Sequence, residues 1–314
     1  MVHDDQNSKL IYGVIKVMSL RFETIALVGR PQTLGLENTL AAMAAWLEAK
    51  THKVVIEESI AESKLLSAWK SLNFAEIAQQ ADLVISVGGD GTLLGAARQI
   101  GPQEVPLLGI NYGRVGFVTD IPLSQWEVGL QTVLAGDYAI ERRGLISATV
   151  SRAGHPVWST LAVNDVVVNR SSRAGMIELE VEVDGEHMAT QRADGLIVAS
   201  PTGSTAYALS ANGPILHPRL RGFIMVPIAP QSLSNRPICL PDDVSITIRV
   251  VEGREPRVSG DMQVFSDLHI DDDIQIKHAP HAMRLVHPEG YSYFGTLRSK
   301  LNWHEPPLYE TTRR

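Results

Sequence analysis

Apolar residues along the first 140 positions fall in short runs separated by stretches of helical period. Residues 25–28 form a continuous apolar run closed by Gly29 and read as a buried strand, and 54–56, 83–87 and 107–110 read as further strands. Leu36, Leu40, Met43, Ala44 and Leu47 recur at three- and four-residue spacing, which brings them onto one face of a helix. The spacing predicts further helices around residues 61–80 and 93–100. Strand and helix in alternation imply a parallel sheet covered on both faces. Ligands of such sheets gather beyond the carboxyl ends of the strands, so chemistry is expected in the loops after Val28, Val87 and Ile110.

The pattern changes after about Gly136. Ile177, Leu179, Val181 and Val183 alternate with Glu178, Glu180, Glu182 and Asp184, a period of two, and Asp184-Gly185 supplies a tight hairpin turn. Ile246, Ile248 and Val250 alternate likewise, as do Ile274 and Ile276, while helical pattern becomes scarce. The second half is therefore expected to be mainly antiparallel β. The boundary is placed near residues 137–143. This gives a polar leader at 1–20, an α/β domain at 21–140, a β domain at 141–286 and a C-terminal segment at 287–314 expected to return to the first domain.

Composition narrows the class. A chain of 314 residues is long for one core and fits two domains. Hydrophobic residues at 44% and charged residues at 20% are the balance of a soluble globular protein. A net charge of −7 argues against a nucleic-acid backbone binder. The longest apolar stretch, 223–230, is far short of a membrane span, and the apolar run at 10–17 is interrupted by Lys16. Met18 is an alternative start, and the leader before it is expected to be dispensable. Cys239 is the one cysteine, so no intramolecular disulfide forms, which fits a reducing, cytoplasmic location.

The strongest local signal is Gly88-Gly89-Asp90-Gly91-Thr92, directly after the run 83–87 and before a helical pattern. Three glycines around one position let backbone N–H groups approach a phosphate, and the following helix N-terminus favours negative charge. Gly88, Gly89, Gly91 and Thr92 are the candidate phosphate binders. A tight turn with a capping Asp would use the same residue types, but the place at the end of a buried strand favours a ligand. Neither familiar nucleotide motif is present. No Gly-x4-Gly-Lys-Ser/Thr occurs, and after Gly89 and Gly91 the third glycine of a dinucleotide fingerprint is replaced by Leu94. An Asp facing phosphates is repulsive unless a metal bridges it or it serves the attacking hydroxyl. In phosphoryl transfer the second role belongs to a base that takes the acceptor's proton, and Asp90 is the candidate.

A second cluster follows the apolar run 196–199. Ser200-Pro201-Thr202-Gly203-Ser204-Thr205-Ala206-Tyr207 offers hydroxyl and backbone donors together, suited to phosphate or ribose and equally to capping a helix. Asn164-Asp165 interrupts the apolar run 161–168, where a polar pair is costly to bury without hydrogen bonds. A turn or bulge and recognition of ribose or adenine both account for it.

Taken together, these segments resemble the NAD kinase family over nearly the whole chain. The glycine-rich turn is shared with diacylglycerol, sphingosine and phosphofructokinase-type enzymes. The narrower match comes from the segments in order: Gly109-Ile110-Asn111 with Gly113, Gly116 and Phe117; Asn164-Asp165; Asp194 through Tyr207 with Ser210; Gly260-Asp261-Met262-Gln263; and Tyr291-Ser292-Tyr293-Phe294 with Lys300-Leu301. The resemblance implies an α/β N-terminal nucleotide-binding domain with a parallel sheet and a mainly antiparallel β-sandwich C-terminal domain, with the active site between them. By it, Asp90 would be the base acting on the ribose 2′-hydroxyl of NAD. Asp90, Gly91, Asn164, Asp165, Arg192, Asp194, Thr205, Ala206, Tyr207, Ala208, Leu209, Ser210 and Gln263 would hold NAD. ATP would arrive as its magnesium complex, with no metal site among the side chains. Subunits would pair into homodimers or homotetramers that help complete the site.

Three positions depart from the family's pattern. Asp165 replaces the usual Glu, Asn212 a usual Gly before Gly213, and Gln231 a His that often precedes Ser or Thr. The first keeps charge and shortens reach; the second keeps the non-glycine residue that best tolerates a left-handed backbone. The alternatives are a lipid or sugar kinase with the same turn, and a catalytically silent NAD-binding module, against which the intact Asp90 argues.

Overall fold

The computed structural model describes residues 22–31, 33–113, 116–170 and 175–303, so the polar leader expected at 1–20 lies outside them. The first half alternates β1 (Thr24–Gly29), α1 (Leu36–Glu48), β2 (Lys53–Glu57), β3 (Lys70–Leu72), α2 (Phe74–Gln80), β4 (Leu83–Gly88), α3 (Asp90–Ile100), β5 (Leu107–Asn111), β6 (Ile121–Pro122) and α4 (Trp126–Leu134). The strands carry unbroken apolar runs because both faces are covered. Ile25, Leu27, Ile56 and Ile85 pack with Leu36, Leu40 and Met43 of α1, whereas Ala26, Val28, Val55 and Val84 pack with Leu93, Ala96 and Ala97 of α3.

These strands pair in parallel in the order β5-β4-β1-β2-β3. Because β1 lies between β2 and β4, the winding reverses there, and a crevice opens beyond the carboxyl ends at Gly29 and Gly88.

The helix expected around residues 61–80 is a correction. Turns fill most of 61–69, Lys70–Leu72 adds a short edge strand to β2, and the helix begins only at Phe74. The cause is local: the Asn73 side chain accepts from the Glu76 N–H, and the Glu76 carboxylate accepts from the Asn73 N–H. This reciprocal cap starts the helix at a fixed place.

The second half comprises β7 (Tyr138–Arg152), β8 (His155–Ala162), β9 (Asp165–Arg170), β10 (Ile177–Val183), β11 (Glu186–Ala193), β12 (Gly195–Ala199), α5 (Tyr207–Ser210), β13 (Phe223–Ile228), β14 (Ile238–Leu240), β15 (Ile246–Glu252), β16 (Pro256–Gly260), β17 (Val264–Asp267), β18 (Asp273–Pro288) and α6 (Tyr293–Leu301). Its strand pairs are antiparallel, and Asp184 and Gly185 both take positive φ in the β10–β11 hairpin. β9, β12, β13, β14, β16 and β17 form a six-stranded sheet. It faces β7, β10, β15 and β18 across a core that includes Val166, Val168, Leu196, Val198 and Phe223 on one side and Ile146, Leu179, Ile248 and Ile276 on the other. The molecule is thus an α/β unit with a mainly parallel sheet joined to an antiparallel β-sandwich.

The joint is a strand pair. β18 runs antiparallel to β7 from Asp273↔Ser151 to Pro288↔Tyr138, and its far end pairs in parallel with β5 at Leu285↔Leu107. The chain passes from one half to the other inside β7, and one 12-stranded sheet runs through both. Residues 287–291 lie against the first half, where Glu289 N–H donates to the Asp137 carbonyl. α6 then turns to the second half, with Tyr293 edge-on to His217 at 4.9 Å. Among the described residues no helix is long and apolar enough to cross a membrane.

Candidate active site

The crevice at the winding reversal is a cleft of about 730 Å³, lined by Gly88, Gly89, Gly91 and Thr92 together with Asn111 and Tyr112. All four candidate phosphate binders therefore face one space. α3 starts at Asp90, and the first N–H groups of a helix have no partner within it, so the cleft receives the positive end of α3. A Cβ on Gly89 would meet nothing within 4 Å, so the floor is open to a ligand.

Asp90 is held from the other side by the loop that follows β5. Its Oδ2 accepts from Phe117 N–H at 2.7 Å, and its Oδ1 from Val118 N–H at 3.3 Å, Thr119 N–H at 3.2 Å and Thr119 Oγ1 at 2.9 Å. Gly116 makes this approach feasible, because a Cβ there would stand 1.7 Å from Asp90 Oδ1. Four donors fix the position of the carboxylate. Oδ2 has one of those partners and keeps a lone pair for a further donor, which is what a hydroxyl proton acceptor needs.

Gln263 continues the arc into the second half. Its amide donates to the Gly91 carbonyl at 2.9 Å and accepts from Arg98 Nη2 at 2.5 Å. Arg98, near the end of α3, also pairs with Asp261 at 2.6 Å, both side chains being almost fully buried. The Asp261 carboxylate accepts in turn from the N–H groups of Val163, Asn164 and Asp165. One ion pair thereby fixes the Asn164-Asp165 segment against the helix that carries Asp90.

Asp165 itself is buried, and its Oδ1 has no hydrogen-bond partner. Burial, with the Asp261 carboxylate nearby, pushes its carboxyl up to about 7. Near neutral pH the protonated and ionised forms therefore coexist. A ligand hydroxyl or amine that donates to Oδ1 would satisfy the orphan oxygen and favour the ionised form.

The Ser/Thr-rich turn closes the arc. Ser200 Oγ donates to the Val163 carbonyl at 2.6 Å, and Ser200 N–H to the Asn164 carbonyl at 2.8 Å. Gly203 is a close approach, since a Cβ there would lie 2.0 Å from the Asn164 carbonyl oxygen. Ser204 Oγ accepts from Leu216 N–H at 3.0 Å, tying the turn to the loop beyond α5. Tyr207, Ala208 and Ala211 pack on Val167, Ile197 and Val226 at the outer face of the six-stranded sheet. Thr205, Ala206 and Leu209 are half-buried and Ser210 is exposed. Asn212 takes φ +64°, the left-handed conformation that glycine would supply.

Arg192 and Asp194 are not brought to this arc. Asp194 precedes β12 and pairs with Arg170 at 2.7 Å, while Arg192 faces Glu178 and Glu252 at 3.7 and 4.0 Å. Ser200 follows the opposite end of β12, about 20 Å away at roughly 3.3 Å per residue.

Arg98, Thr119, Ser200 and Asp261 take part in the arc and were absent from the sequence-derived site. Gly260-Asp261 and Gly116-Phe117 stood within the resembling segments, so Asp261 and the 116–119 loop were within reach of that comparison. Arg98 carried no local signal, because its partner is 163 positions away.

An α/β unit whose glycine-rich helix start opens onto a cleft that Gln263 of the β-sandwich half also lines has the architecture of a nucleotide-dependent phosphotransferase. The N-terminal domain model of ATP-NAD kinases matches residues 25–138, and the C-terminal domain model matches 163–288. The NAD kinase of Burkholderia pseudomallei is 50% identical over 290 residues, 92% of this chain and 97% of that protein. That of Paraburkholderia phymatum is 49% identical with the same coverage. Among solved structures, an NAD kinase from Archaeoglobus fulgidus in complex with ATP superposes with a TM-score of 0.68 at 28% identity, covering 89% of this chain and 98% of that one. Yeast NADH kinase complexed with NADH shares the fold, with a TM-score of 0.87 at 23% identity over 96% and 94% of the two chains. The chain belongs to the NAD kinase family.

Proposed function

We propose that this protein transfers the γ-phosphoryl group of ATP to the 2′-hydroxyl of the adenosine ribose of NAD, giving NADP and ADP. The observation that carries the reading is the Asp90 carboxylate, fixed by three backbone N–H groups and a hydroxyl, between two glycines that line the cleft. ATP enters as its magnesium complex, with its phosphates over Gly88, Gly89, Gly91 and Thr92. NAD lies along Gly91, Gln263, Asn164, Asp165 and the turn from Thr205 to Ser210. The ribose hydroxyl donates to Asp90 Oδ2; its oxygen attacks the γ-phosphorus, its proton passes to the carboxylate, and the bond to the β-bridging oxygen breaks.

Homodimers or homotetramers and a cytoplasmic location belong to the same proposal. The first is supported by Arg192 of β11 and Asp194 just before β12, which stand at the far end of these strands from the Ser/Thr-rich turn, too far to reach the NAD of their own subunit. Incubating the purified protein with ATP, magnesium and either NAD or NADH should yield NADP(H). Phosphorylation of a lipid or sugar with no NADP(H) would overturn the reading.

A further inference from the structure

A chain of four ionisable side chains, three buried and Asp120 part-buried, lies where the parallel sheet meets the sandwich. Asp120 closes the loop that holds Asp90, His287 stands at the end of β18, and Glu141 and Arg143 project from β7. His287 is 1% exposed. Its Nδ1 faces Asp120 Oδ2, and its Nε2 lies 3.0 Å from Glu141 Oε2. Arg143 Nη2 donates to the same Glu141 oxygen at 2.7 Å, and Arg143 Nη1 to Thr202 Oγ1 at 3.4 Å. The Tyr291 ring covers the imidazole, stacked at 3.8 Å and 8°.

Both imidazole nitrogens face carboxylates, and only the imidazolium has two donors. With His287 charged, two cations offset two anions and the buried chain is neutral. Its ends touch both parts of the arc. Asp120 directly follows Thr119, which holds Asp90, and Thr202 directly precedes Gly203, which packs on Asn164.

We propose that His287 is a positioning residue for phosphoryl transfer: its imidazolium bridges Asp120 and Glu141 and thereby sets the loop gripping Asp90 in register with the Ser/Thr-rich turn. This rests on the reading of Asp90 as the group that serves the acceptor hydroxyl. Loss of the bridge lets the 116–119 loop shift, and a displacement of about 1 Å at a reacting group costs up to about a hundredfold in rate. Burial alone would lower the His287 pKa, but Asp120 and Glu141 outweigh it and raise it. Arg143, Tyr291, Tyr293 and His217 are the other titratable groups facing this cluster, and burial keeps the Tyr291 phenol protonated. Neutralising His287 at high pH should therefore loosen the same loop.

The test compares the parent with His287→Gln, which keeps one donor, and Asp120→Asn, which keeps shape and removes charge. Turnover per folded molecule should fall about ten- to a hundredfold, with the KM for ATP within about threefold. Amide exchange at residues 117–119 should speed up in both variants. In the parent, exchange at these amides should accelerate at alkaline pH beyond its intrinsic pH dependence, a readout that needs no variant to fold. Near-parent turnover with intact protection at 117–119 would overturn the inference, as would parent exchange that follows only the intrinsic dependence. If Asp90→Asn also turned over normally, the reading of Asp90 would fall; lost protection in His287→Gln would still support the bridge.

Discussion

Two carboxylates on the same arc live in opposite surroundings. Asp90 accepts from four donors and carries an oxygen still able to accept, whereas Asp165 is buried with one oxygen unpartnered and a second carboxylate nearby. The first is organised before any ligand arrives. The second is incomplete until something donates to it. The difference separates a group suited to taking a proton in the reaction from one suited to sensing whether the right ligand is present.

Replacing the organised carboxylate should have the largest effect. Asp90→Asn should lower turnover about 10²–10⁴-fold, the usual contribution of a positioned base, with little change in the KM for NAD. Near-normal turnover with a large rise in that KM would make Asp90 a binding group and erase the contrast. Asp165→Ala should weaken NAD use about ten- to a hundredfold, as expected for a lost hydrogen bond to a charged group worth about 1.5–3 kcal/mol, with ATP affinity nearly unchanged. Asp165→Glu should stay active. Unchanged NAD constants in Asp165→Ala alongside a lower melting temperature would reduce Asp165 to a structural residue.

Smaller effects follow from the titration of Asp165. Its folded pKa of about 7 lies above the ordinary 3.8, so the folded state holds this proton more tightly than the unfolded chain. Stability from that proton is fully present below about pH 4 and is lost as the pH rises through about 7. Asp165→Asn, uncharged throughout, should melt at nearly the parent temperature below about pH 4, with a margin that grows to several degrees by pH 8. A gain independent of pH would show that charge is not its cause. The smallest signal is a proton count. A donor reaching Oδ1 favours ionisation, so NAD binding at pH 7 should release up to about half a proton from this group. Calorimetry in buffers of different ionisation enthalpy would measure it, and an equal release from Asp165→Asn would place its source elsewhere.

What could be read from the sequence was what local pattern encodes. Continuous apolar runs located β1, β2, β4 and β5 because burial on both faces leaves no room for alternation, and period two located β10 and β15 because one face of each meets the sandwich core. The turn at Gly88 was visible because its chemistry lies within five consecutive residues. The segment 61–73 was misread as part of a helix over 61–80, although the Asn73…Glu76 cap that starts the helix at Phe74 was present in the sequence. Arg98 to Asp261 and Asp120 to His287 were invisible for a different reason. Each is a pair of ordinary charged residues more than 160 positions apart, and only the fold brings them together.

The shared strand pair has an architectural consequence. From Ser151 and Asp273 to Tyr138 and Pro288, β7 and β18 act as a spar running through both halves, interrupted only by the offset between His278 and Ala282. A molecule framed on such a spar is not two halves joined by a bare linker. Nor do the halves come apart as interchangeable modules. A cut at residue 140 divides β7 itself and strips β5 of its β18 neighbour, exposing raw sheet edges that invite mispairing.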